Sequence, residues 1–504
     1  MSINPSHLTY PLVLAIDVGT SSTRALLYDA TGNVVEEVEG RITYQMHLTA
    51  DGGVEIDADE LVALTCRAID EALEQAGQLV DEICGVGIST FWHSLLGVGA
   101  DGKPLTPLYN WSDTRSREDV RALAARIDVD ASHLRTGVIP HSSYQPARLL
   151  WLKRTAPELF ASVTHWMTFG EYFTFKLFGR RLASVSMASG TGLFNPNTCK
   201  WDAEMLALAG IEAAQLSQLA DDDESFVGLK EEYSERWSAL KELPWFPAIG
   251  DGACSNIGSG CVTEDRVALM VGTSGAMRVC FQASGVKIPR GLWCYRANRR
   301  YFVMGGALSN GGDVYAWGLK TLNLEAKDIE EQLSKMSPDG HGLTVLPFFS
   351  GERSTGWADS AKAVIAGMTL NSSPIEILRA SLEAVAYRFA AIYQRLREEL
   401  PASSQIIASG GGILNSPMWT QIMADCLGAP VAASAVEEAS SRGAALLTLQ
   451  ALGHISELEN LPAPCNEIYE PIPENQARYV TGFKRHQQFY ELASKTLWHE
   501  GAAL

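Results

Sequence analysis

The sequence repeats one short segment, and this repeat limits what the chain can fold into more than any other feature. The tetrapeptide Val-Gly-Thr-Ser occurs at Val18–Ser21 and again at Val271–Ser274. Each copy lies between two apolar runs, a pattern that predicts two strands joined by a tight turn. Two such units predict two domains of related architecture, and a chance repeat of four common small residues is the alternative.

The length of the chain supports this division. A chain of 504 residues is too long for one hydrophobic core, so we expect two or three domains with a ligand cleft between lobes. The glycine-bearing stretch Ser259–Asp265 is the predicted boundary. It divides the chain into an N-terminal lobe, residues 1–260, and a C-terminal lobe, residues 261–504.

Composition argues against several classes of protein. The formal net charge of −19 works against nucleic-acid binding, which needs a basic surface. No apolar run is long enough to span a membrane and no secretory leader is recognisable, so we expect a cytoplasmic protein. The nine cysteines are scattered without a Cys-x-x-Cys pair, and we expect reduced thiols rather than disulfides or a zinc site.

Hydrophobic periodicity and turn residues predict the main elements. The predicted strands of the first half are Leu12–Val18, Arg24–Tyr28 and Asn33–Val38, as an antiparallel meander, and then Gly85–Thr90 and Ser94–Val98. The predicted helices span Asp57–Ala76, begin at the capping box Ser373–Glu376, and run from Ser416 to just before Gly428.

The two Gly-Thr-Ser turns are candidate phosphate-binding sites. A turn of this composition presents consecutive backbone N–H groups and two hydroxyls in a small concave space, which suits a polyphosphate. The residues concerned are Gly19, Thr20 and Ser21 in the first copy and Gly272 and Thr273 in the second. One copy alone would be read as an ordinary hairpin turn, whereas two copies in facing domains could bind a nucleotide from both sides.

Two aspartates are candidates for chemistry. Asp17 lies at the end of an otherwise apolar strand, where an unpaired carboxylate is costly, so we expect it to face a cation. That cation is either Arg24 or a phosphate-bound Mg²⁺ ion. Asp251 lies between two glycines and could accept a proton from an attacking hydroxyl, as phosphoryl transfer requires; an ordinary Asp-Gly turn is the alternative.

A third glycine-rich segment, Gly410–Gly412, follows a predicted strand and precedes a helix. Backbone without side chains allows a flat ring or a sugar to lie against it. It is not a dinucleotide-binding fingerprint, because Asn415 stands where the third glycine belongs. The segment Gly97–Lys103 resembles a Walker A loop, but Pro104 replaces the required Ser or Thr, and we predict a hairpin turn.

Taken together, these motifs occur in the order seen in the FGGY carbohydrate kinases, which belong to the actin-like ATPase superfamily. The chain is similar to this family over about residues 11–450. The segments that carry the resemblance are Asp17–Arg24, Trp111–Arg115, Gly250–Gly252, Val271–Gly275, Ser350–Arg353, Ala363–Glu383 and Ser409–Asn415.

The resemblance implies an α/β fold of two actin-like (ribonuclease H-like) lobes, each a five-stranded mixed sheet flanked by helices, with ATP in the cleft between them. It implies that Asp17 lies near a Mg²⁺ ion and that Asp251 is the catalytic base. The sugar pocket is expected in the N-terminal lobe and the adenosine site in the C-terminal lobe. The nucleotide-binding residues implied are Gly19, Thr20, Ser21, Arg24, Gly272, Thr273, Gly411, Gly412 and Asn415.

The substrate implied is a small sugar or sugar acid. His93 matches a histidine of the xylulose kinases, whereas the segments Ile249–Ala253 and Gly305–Asp313 look most like the gluconate kinase branch. Gluconate is anionic, so the resemblance predicts a cation in the pocket, either Arg115 or a protonated His93. The substrate-binding residues expected are Trp92, His93, Asp113, Arg115 and Asp251.

Two alternatives remain for the function. One is a kinase for xylulose or another ketose or polyol, and the other is a catalytically silent sensor of sugar and nucleotide. Retention of Asp17 and Asp251 argues against the sensor, which would not need a base. The resemblance is compatible with a homodimer.

Overall fold

The computed structural model describes residues 7–325, 327–401, 405–461 and 463–498. Two α/β lobes, each built on a mixed sheet, make up the fold. Among the described residues, no helix is both long enough and apolar enough to cross a membrane.

The sheet of the N-terminal lobe has five strands, as predicted. Its strands are β1 (Leu12–Val18), β2 (Ser22–Tyr28), β3 (Val34–Thr43), β4 (Ile83–Thr90) and β5 (Ile249–Gly250), in the order β5-β4-β1-β2-β3. The first three strands form the expected antiparallel meander, and β4 and β5 run parallel to β1. Every residue of β1 is buried, which explains why this strand reads as a continuous apolar run rather than an alternating one.

The sheet of the C-terminal lobe repeats this arrangement and extends it. Its strands are β6 (Arg266–Val271), β7 (Gly275–Gln282), β8 (Trp293–Arg296), β9 (Tyr301–Leu308), β10 (Gln405–Ser409), β11 (Val431–Ser434) and β12 (Cys465–Tyr469). The order is β8-β9-β7-β6-β10-β11-β12. Its inner five strands match the N-terminal lobe in order and direction, so the sequence repeat does mark two related lobes.

The prediction of five strands is wrong for the C-terminal lobe, where the sheet has seven. The two additional strands are antiparallel and lie at the edges, β8 beside β9 and β12 beside β11. Each satisfies the backbone groups of an edge that would otherwise be open.

The predicted helices are confirmed, with caps that explain where they begin and end. The main helices are α1 (Ala58–Ala76), α2 (Asp251–Gly258), α3 (Pro374–Leu396), α4 (Pro417–Leu427), α5 (Ala439–Ala451) and α6 (Pro473–Thr496). Asp57 caps α1 by accepting from the N–H of Glu60, and Ser373 with Glu376 forms the capping box of α3. Gly428 ends α4 in the left-handed conformation.

Residues 91–248 form an insertion between β4 and β5, with a small apolar core of its own around Leu149 and Trp166. Its helices are Arg117–Ala124, Val129–Thr136, Gln145–Thr155, Pro157–Ser162, Phe169–Phe178, Val185–Ser189, Ala203–Ala209 and Glu231–Arg236. Its strands are Leu96–Val98, Leu108–Tyr109, His165–Met167, Leu182–Ser184, Phe194–Asn195, Lys200–Trp201 and Gln218–Ala220.

Shorter elements complete both lobes. In the N-terminal lobe these are the strands His47–Leu48 and Val54–Ile56. In the C-terminal lobe they are the helices Gly312–Thr321, Ile329–Ser334 and Gly411–Leu414 and the strands Thr344–Leu346 and Val364–Ala366.

Helix α5 connects the lobes. It follows β11 of the C-terminal sheet but packs on β1, β4 and α2 of the N-terminal lobe. Its apolar residues, Leu446 among them, belong to the N-terminal core. At this helix the packing therefore does not follow the expected division at residue 260.

The crossing of α2 and α5 is close because each helix has a glycine at the contact. A Cβ atom at Gly258 would lie 1.8 Å from the carbonyl oxygen of Ala439, and one at Gly443 would lie 1.9 Å from that of Cys254. Arg442 adds two hydrogen bonds across the same seam, to the carbonyl oxygens of Gly258 and Gly32.

Gly443→Ala should destabilise the protein, because the added methyl group forces two helix backbones apart. Overpacking of this kind costs about 1–3 kcal/mol or more, so we expect the melting temperature to fall by about 3 °C or more. Gly285→Ala is the matched control, since its Cβ would meet no atom closer than 3.5 Å. Equal melting temperatures for the two variants, measured by calorimetry, would show that the crossing tolerates a side chain.

Candidate active site

A cavity of about 320 Å³ lies between the lobes, next to the first copy of the repeated turn and the end of the second. Residues of both lobes line it. The N-terminal lobe contributes Asp17, Thr20, Trp92 and Asp251, and the C-terminal lobe contributes Ser274, Arg278, Trp293, Tyr295 and Arg353. The expectation of a pocket made by the N-terminal lobe alone is therefore incomplete.

Asp251 begins helix α2 directly after β5, where its carboxylate accepts a hydrogen bond of 2.7 Å from the N–H of Gly252. The flanking glycines are needed for close packing. A Cβ at Gly250 would lie 1.9 Å from the Trp92 ring, and one at Gly252 would lie 2.5 Å from Nη1 of Arg278. Burial raises the pKa of Asp251, and the positive charge of Arg278 opposes that rise.

Asp17 is a second buried carboxylate at the cavity. Burial raises its pKa to about 6; Arg24 opposes the rise, and the negative charge of Asp251 adds to it. Among the described residues, Asp17 forms no ion pair, although Arg24 lies opposite it in the β1–β2 register. A carboxylate in this state suits a divalent cation, because a cation would remove the cost of its burial.

Arg24, expected at the nucleotide, is held elsewhere. Its guanidinium pairs with Glu438, the residue that precedes helix α5, and Glu438 also pairs with Arg41 at 2.6 Å. Arg24 does not line the cavity. The structure therefore places it in a contact that joins the two lobes.

The predicted phosphate-binding turns have the expected form. Gly19 and Thr20 line the cavity from one side, and Ser21 lies beside them on the surface of the turn. On the other side, the N–H of Gly272 donates to the carbonyl oxygen of Ser274, which closes the second turn. The carbonyl oxygen of Thr273 faces the C-terminal lobe, where it accepts from the N–H of Gly311.

The third glycine-rich segment packs against this second turn. Gly410 has a φ of 91°, which favours glycine, and a Cβ there would lie 2.6 Å from the carbonyl oxygen of Val271. A Cβ at Gly412 would lie 2.8 Å from the same oxygen. Gly411 directly precedes Gly412 in the chain, and Asn415 follows at the end of the short helix. The expected adenosine-side residues thus form one backbone surface with the second phosphate turn.

Aromatic rings form a wall of the cavity. The ring centroids of Trp92 and Tyr295 are 4.8 Å apart, and those of Trp293 and Tyr295 are stacked at 4.3 Å. Such a wall offers the apolar faces against which the carbon skeleton of a sugar packs. Trp92 was expected here, whereas Trp293 and Tyr295 were missed because they belong to β8, the edge strand that no local pattern predicted.

His93 lies in this wall as a neutral ring. Its Nδ1 is hydrogen-bonded to the carbonyl oxygen of Gly190. Its pKa is lowered to about 3, mainly by burial and to a smaller extent by the positive charges of Arg353 and Arg148. The expectation of a protonated His93 that binds a carboxylate is therefore not met.

Arg115 is committed to other carboxylates. Its guanidinium pairs with Asp113 and, at 2.6 Å, with Glu55, and it lies over the ring of Trp151 at 4.8 Å. Neither Asp113 nor Arg115 lines the cavity. The alternative that Arg115 holds its own loop in place fits this geometry better than contact with substrate.

The class of protein follows from these features. Two lobes of the same strand order meet at a cavity that holds a buried carboxylate beside two glycine-bearing turns, and this arrangement defines a phosphotransferase of the actin-like fold. The FGGY family of carbohydrate kinases matches the chain twice, its N-terminal domain over residues 12–258 and its C-terminal domain over residues 267–452. The chain belongs to this family and is a sugar phosphotransferase.

Individual relatives agree with this assignment. A gluconokinase of Bacillus subtilis is 26% identical over 483 residues, which cover 93% of each chain. A gluconate kinase of Lactobacillus acidophilus has a structure with a TM-score of 0.87 and 27% identity, covering 96% of this chain and 98% of its own. A xylulose kinase of the same organism has a TM-score of 0.87 and 28% identity over the same shares. Kinases of this family use ATP with a divalent metal ion.

Asp17→Asn should stabilise the ligand-free protein at neutral pH, because it removes a charge whose burial raises the free energy of the folded state. The raised pKa means that the ionised form opposes folding above pH 6, by an amount on the order of 3 kcal/mol. That cost fades as the pH falls from about 6 toward 4, where the folded protein binds the proton. We therefore expect a higher melting temperature than wild type at pH 7.5, in the presence of a chelator, and convergence near pH 4.

Asp29→Asn is the control for this experiment. Oδ1 of Asp29 accepts hydrogen bonds of 2.9 Å from the N–H groups of Thr31 and Asn33, so this substitution should not raise the melting temperature. A lower melting temperature for Asp17→Asn at pH 7.5 would mean that contacts within the protein already stabilise the Asp17 charge.

Proposed function

We propose that the protein is a gluconate kinase, which transfers the γ-phosphoryl group of ATP to a hydroxyl of gluconate to give 6-phosphogluconate and ADP. The observation that carries the proposal is Asp251, a partly buried carboxylate with a raised pKa at a cavity next to the two predicted phosphate-binding turns. A general base of this kind is what transfer to an alcohol requires.

The roles of the residues follow from their positions. The hydroxyl oxygen of the sugar attacks the γ-phosphorus, its proton passes to Asp251, and the bond to the β-phosphate oxygen breaks. Arg278 lies next to Asp251 and is itself held by Asn256 at 3.0 Å, so it holds positive charge near the transferring group. The turns at Thr20 and Thr273 supply backbone N–H groups and hydroxyls for the phosphates.

A Mg²⁺ ion would be held by Asp17, whose carboxylate is buried without a cation among the described residues. Bound there with the phosphates, the ion would neutralise charge that develops on them. The proposal also includes a cytoplasmic location, which the nine free cysteines support.

Xylulose is the second candidate substrate. It is favoured by the similarity to the xylulose kinase of Lactobacillus acidophilus and by the neutral His93, which can donate to a sugar hydroxyl but carries no charge. The gluconokinase of Bacillus subtilis and the gluconate kinase structure favour the acid instead.

Asp251→Asn should lower kcat by a factor on the order of a hundred or more, because the shape is kept while the proton acceptor is lost. ATP binding should be retained. The melting temperature should not fall, since the substitution removes a charge whose burial is unfavourable. Turnover close to that of wild type would remove Asp251 from the mechanism.

A panel of acceptors tests the substrate. In a coupled assay of ADP release with gluconate, xylulose, ribulose, glycerol, fuculose and ribitol, we expect the highest kcat/KM with gluconate. A higher kcat/KM with xylulose than with gluconate would replace the proposed substrate and leave the family and the base unchanged.

A further inference from the structure

Arg353 is a cation of the cavity that forms no ion pair among the described residues, although the carboxylate of Asp359 lies within range of its charge. Its guanidinium lies over the ring of Trp111, 5.3 Å from the centroid, and its Nε is buried without a hydrogen-bond partner. Asp359, the nearby acid on the same loop, is bound instead to Nε2 of His141 at 2.7 Å. A guanidinium nitrogen that is buried without an acceptor, like Nε of this partly buried side chain, is costly unless a ligand supplies the acceptor.

The loop that carries Arg353 is fixed on both sides. The neighbouring Glu352 is buried and pairs with Arg388 of helix α3, and it accepts a hydrogen bond of 2.7 Å from the hydroxyl of Tyr490 on helix α6. Farther along, the contact between Asp359 and His141 ties the loop to the insertion of the other lobe. Arg353 is therefore held in place before any ligand binds.

The other cations near the cavity have different partners. Arg278 is hydrogen-bonded to Asn256 and lies beside Asp251, at the end of the cavity where the chemistry is expected. Arg24 is paired with Glu438, and Arg115 is paired with Asp113 and Glu55. The two guanidiniums that line the cavity thus differ in their hydrogen bonds, because Nε of Arg278 donates to Asn256 and Nε of Arg353 has no acceptor among the described residues.

We propose that Arg353 binds the carboxylate of the sugar-acid substrate, and that Glu352 and Tyr490 position it for this contact. The inference rests on the proposed function and adds to it the residue that distinguishes an acid from a neutral sugar. A guanidinium presents two parallel N–H groups that match a carboxylate, and the Trp111 ring limits the directions that it can take. The substrate would then lie along the aromatic wall, with its acid at Arg353 and its reacting hydroxyl at Asp251.

The γ-phosphate of ATP is the other anion that could reach this guanidinium. The carboxylate is favoured because Arg353 lies on the aromatic side of the cavity. There its charge lowers the pKa of the buried His93 and opposes the rise in the pKa of Tyr144. Asp251 is influenced by Arg278, and the charge of Arg353 reaches Arg278 as well, so both ends of the cavity lie within range of Arg353.

The test compares gluconate with glucitol, in which a neutral CH₂OH group stands in place of the carboxylate. Dissociation constants of both are measured by calorimetry, and kcat/KM is measured wherever turnover is detectable. We expect wild type to bind gluconate more tightly than glucitol. In Arg353→Met the affinity for gluconate should fall about tenfold to a hundredfold, with little change for glucitol and for the KM of ATP. Arg353→Lys should recover part of the loss, since it keeps the charge but not the paired donors.

Two further variants sharpen the result. Tyr490→Phe removes one anchor of Glu352 and should raise the KM for gluconate a few-fold while kcat and glucitol binding stay the same. Arg395→Met is the matched control, because it removes an exposed arginine at the far end of helix α3 whose ion pair, within the described part of the chain, is with Glu398. It should alter neither ligand.

The outcomes separate this inference from the proposed function. Tight gluconate binding without its phosphorylation would reject the proposed function, whereas the selective loss in Arg353→Met would still support the contact. If Arg353→Met weakened the phosphorylation of gluconate and the binding of glucitol by the same factor, the proposed function would stand. The contact between Arg353 and the carboxylate would then be overturned. A selective loss of gluconate affinity in Arg115→Met, and not in Arg353→Met, would also overturn the contact. If Arg353→Met raised only the KM for ATP, the γ-phosphate would replace the carboxylate as the ligand of Arg353.

Discussion

Burial of the Asp17 carboxylate at the junction of two lobes is the constraint on which the active site depends. Folding places it at the end of β1, in a strand whose every residue is buried, and within the field of a second acid, Asp251. Neither charge would be kept there for stability, because a neutral side chain of the same shape would fold at lower cost. In the proposed function, a cation bound together with phosphates in the cavity would offset this cost.

The lobes meet closely enough to bury these acids because two helices cross with almost no side chain between them. Gly258 on α2 and Gly443 on α5 bring the backbones into contact, and α2 begins at Asp251 itself. The proposed base and the junction are thus parts of one element. A displacement of α5 that followed movement of the C-terminal lobe would be felt at Asp251 through this contact.

Local sequence patterns predicted the parts of the fold that local chemistry determines. The strands of the first meander, the caps of α1 and α3 and the end of α4 are set by nearby residues, and they occur where expected. Strand β8 was missed because a run of four residues becomes a strand only through its pairing with β9. The pairing of Arg115 with Glu55 was not predicted for a similar reason, since the two residues are 60 positions apart and no spacing rule connects them.

The candidate site shows the same division between local and distant information. Asp17, Asp251 and the glycine turns were predicted because motifs of adjacent residues carry them, and the structure brings most of them to one cavity. Arg353 also belongs to such a motif, Ser350–Arg353, but the sequence says nothing about what its side chain faces. What the guanidinium of Arg353 faces depends on which nearby acids already have other partners. Glu352 contacts Arg388 and Tyr490, and Asp359 contacts His141.

These pairings have a consequence for selectivity. The Asp359–His141 contact joins the loop of one lobe to the insertion of the other, so the loop of Arg353 is attached to both lobes in this arrangement. A ligand that contacts Arg353 and Asp251 together would interact with both lobes and favour the arrangement in which both residues reach it, because ligands shift a conformational equilibrium through differential contacts. A neutral sugar would lack the contact at Arg353 and would favour that arrangement less. The same interactions would then recognise the substrate and assemble the catalytic site. In this way, binding energy from a substrate group far from the reaction can contribute to catalysis at the reacting hydroxyl.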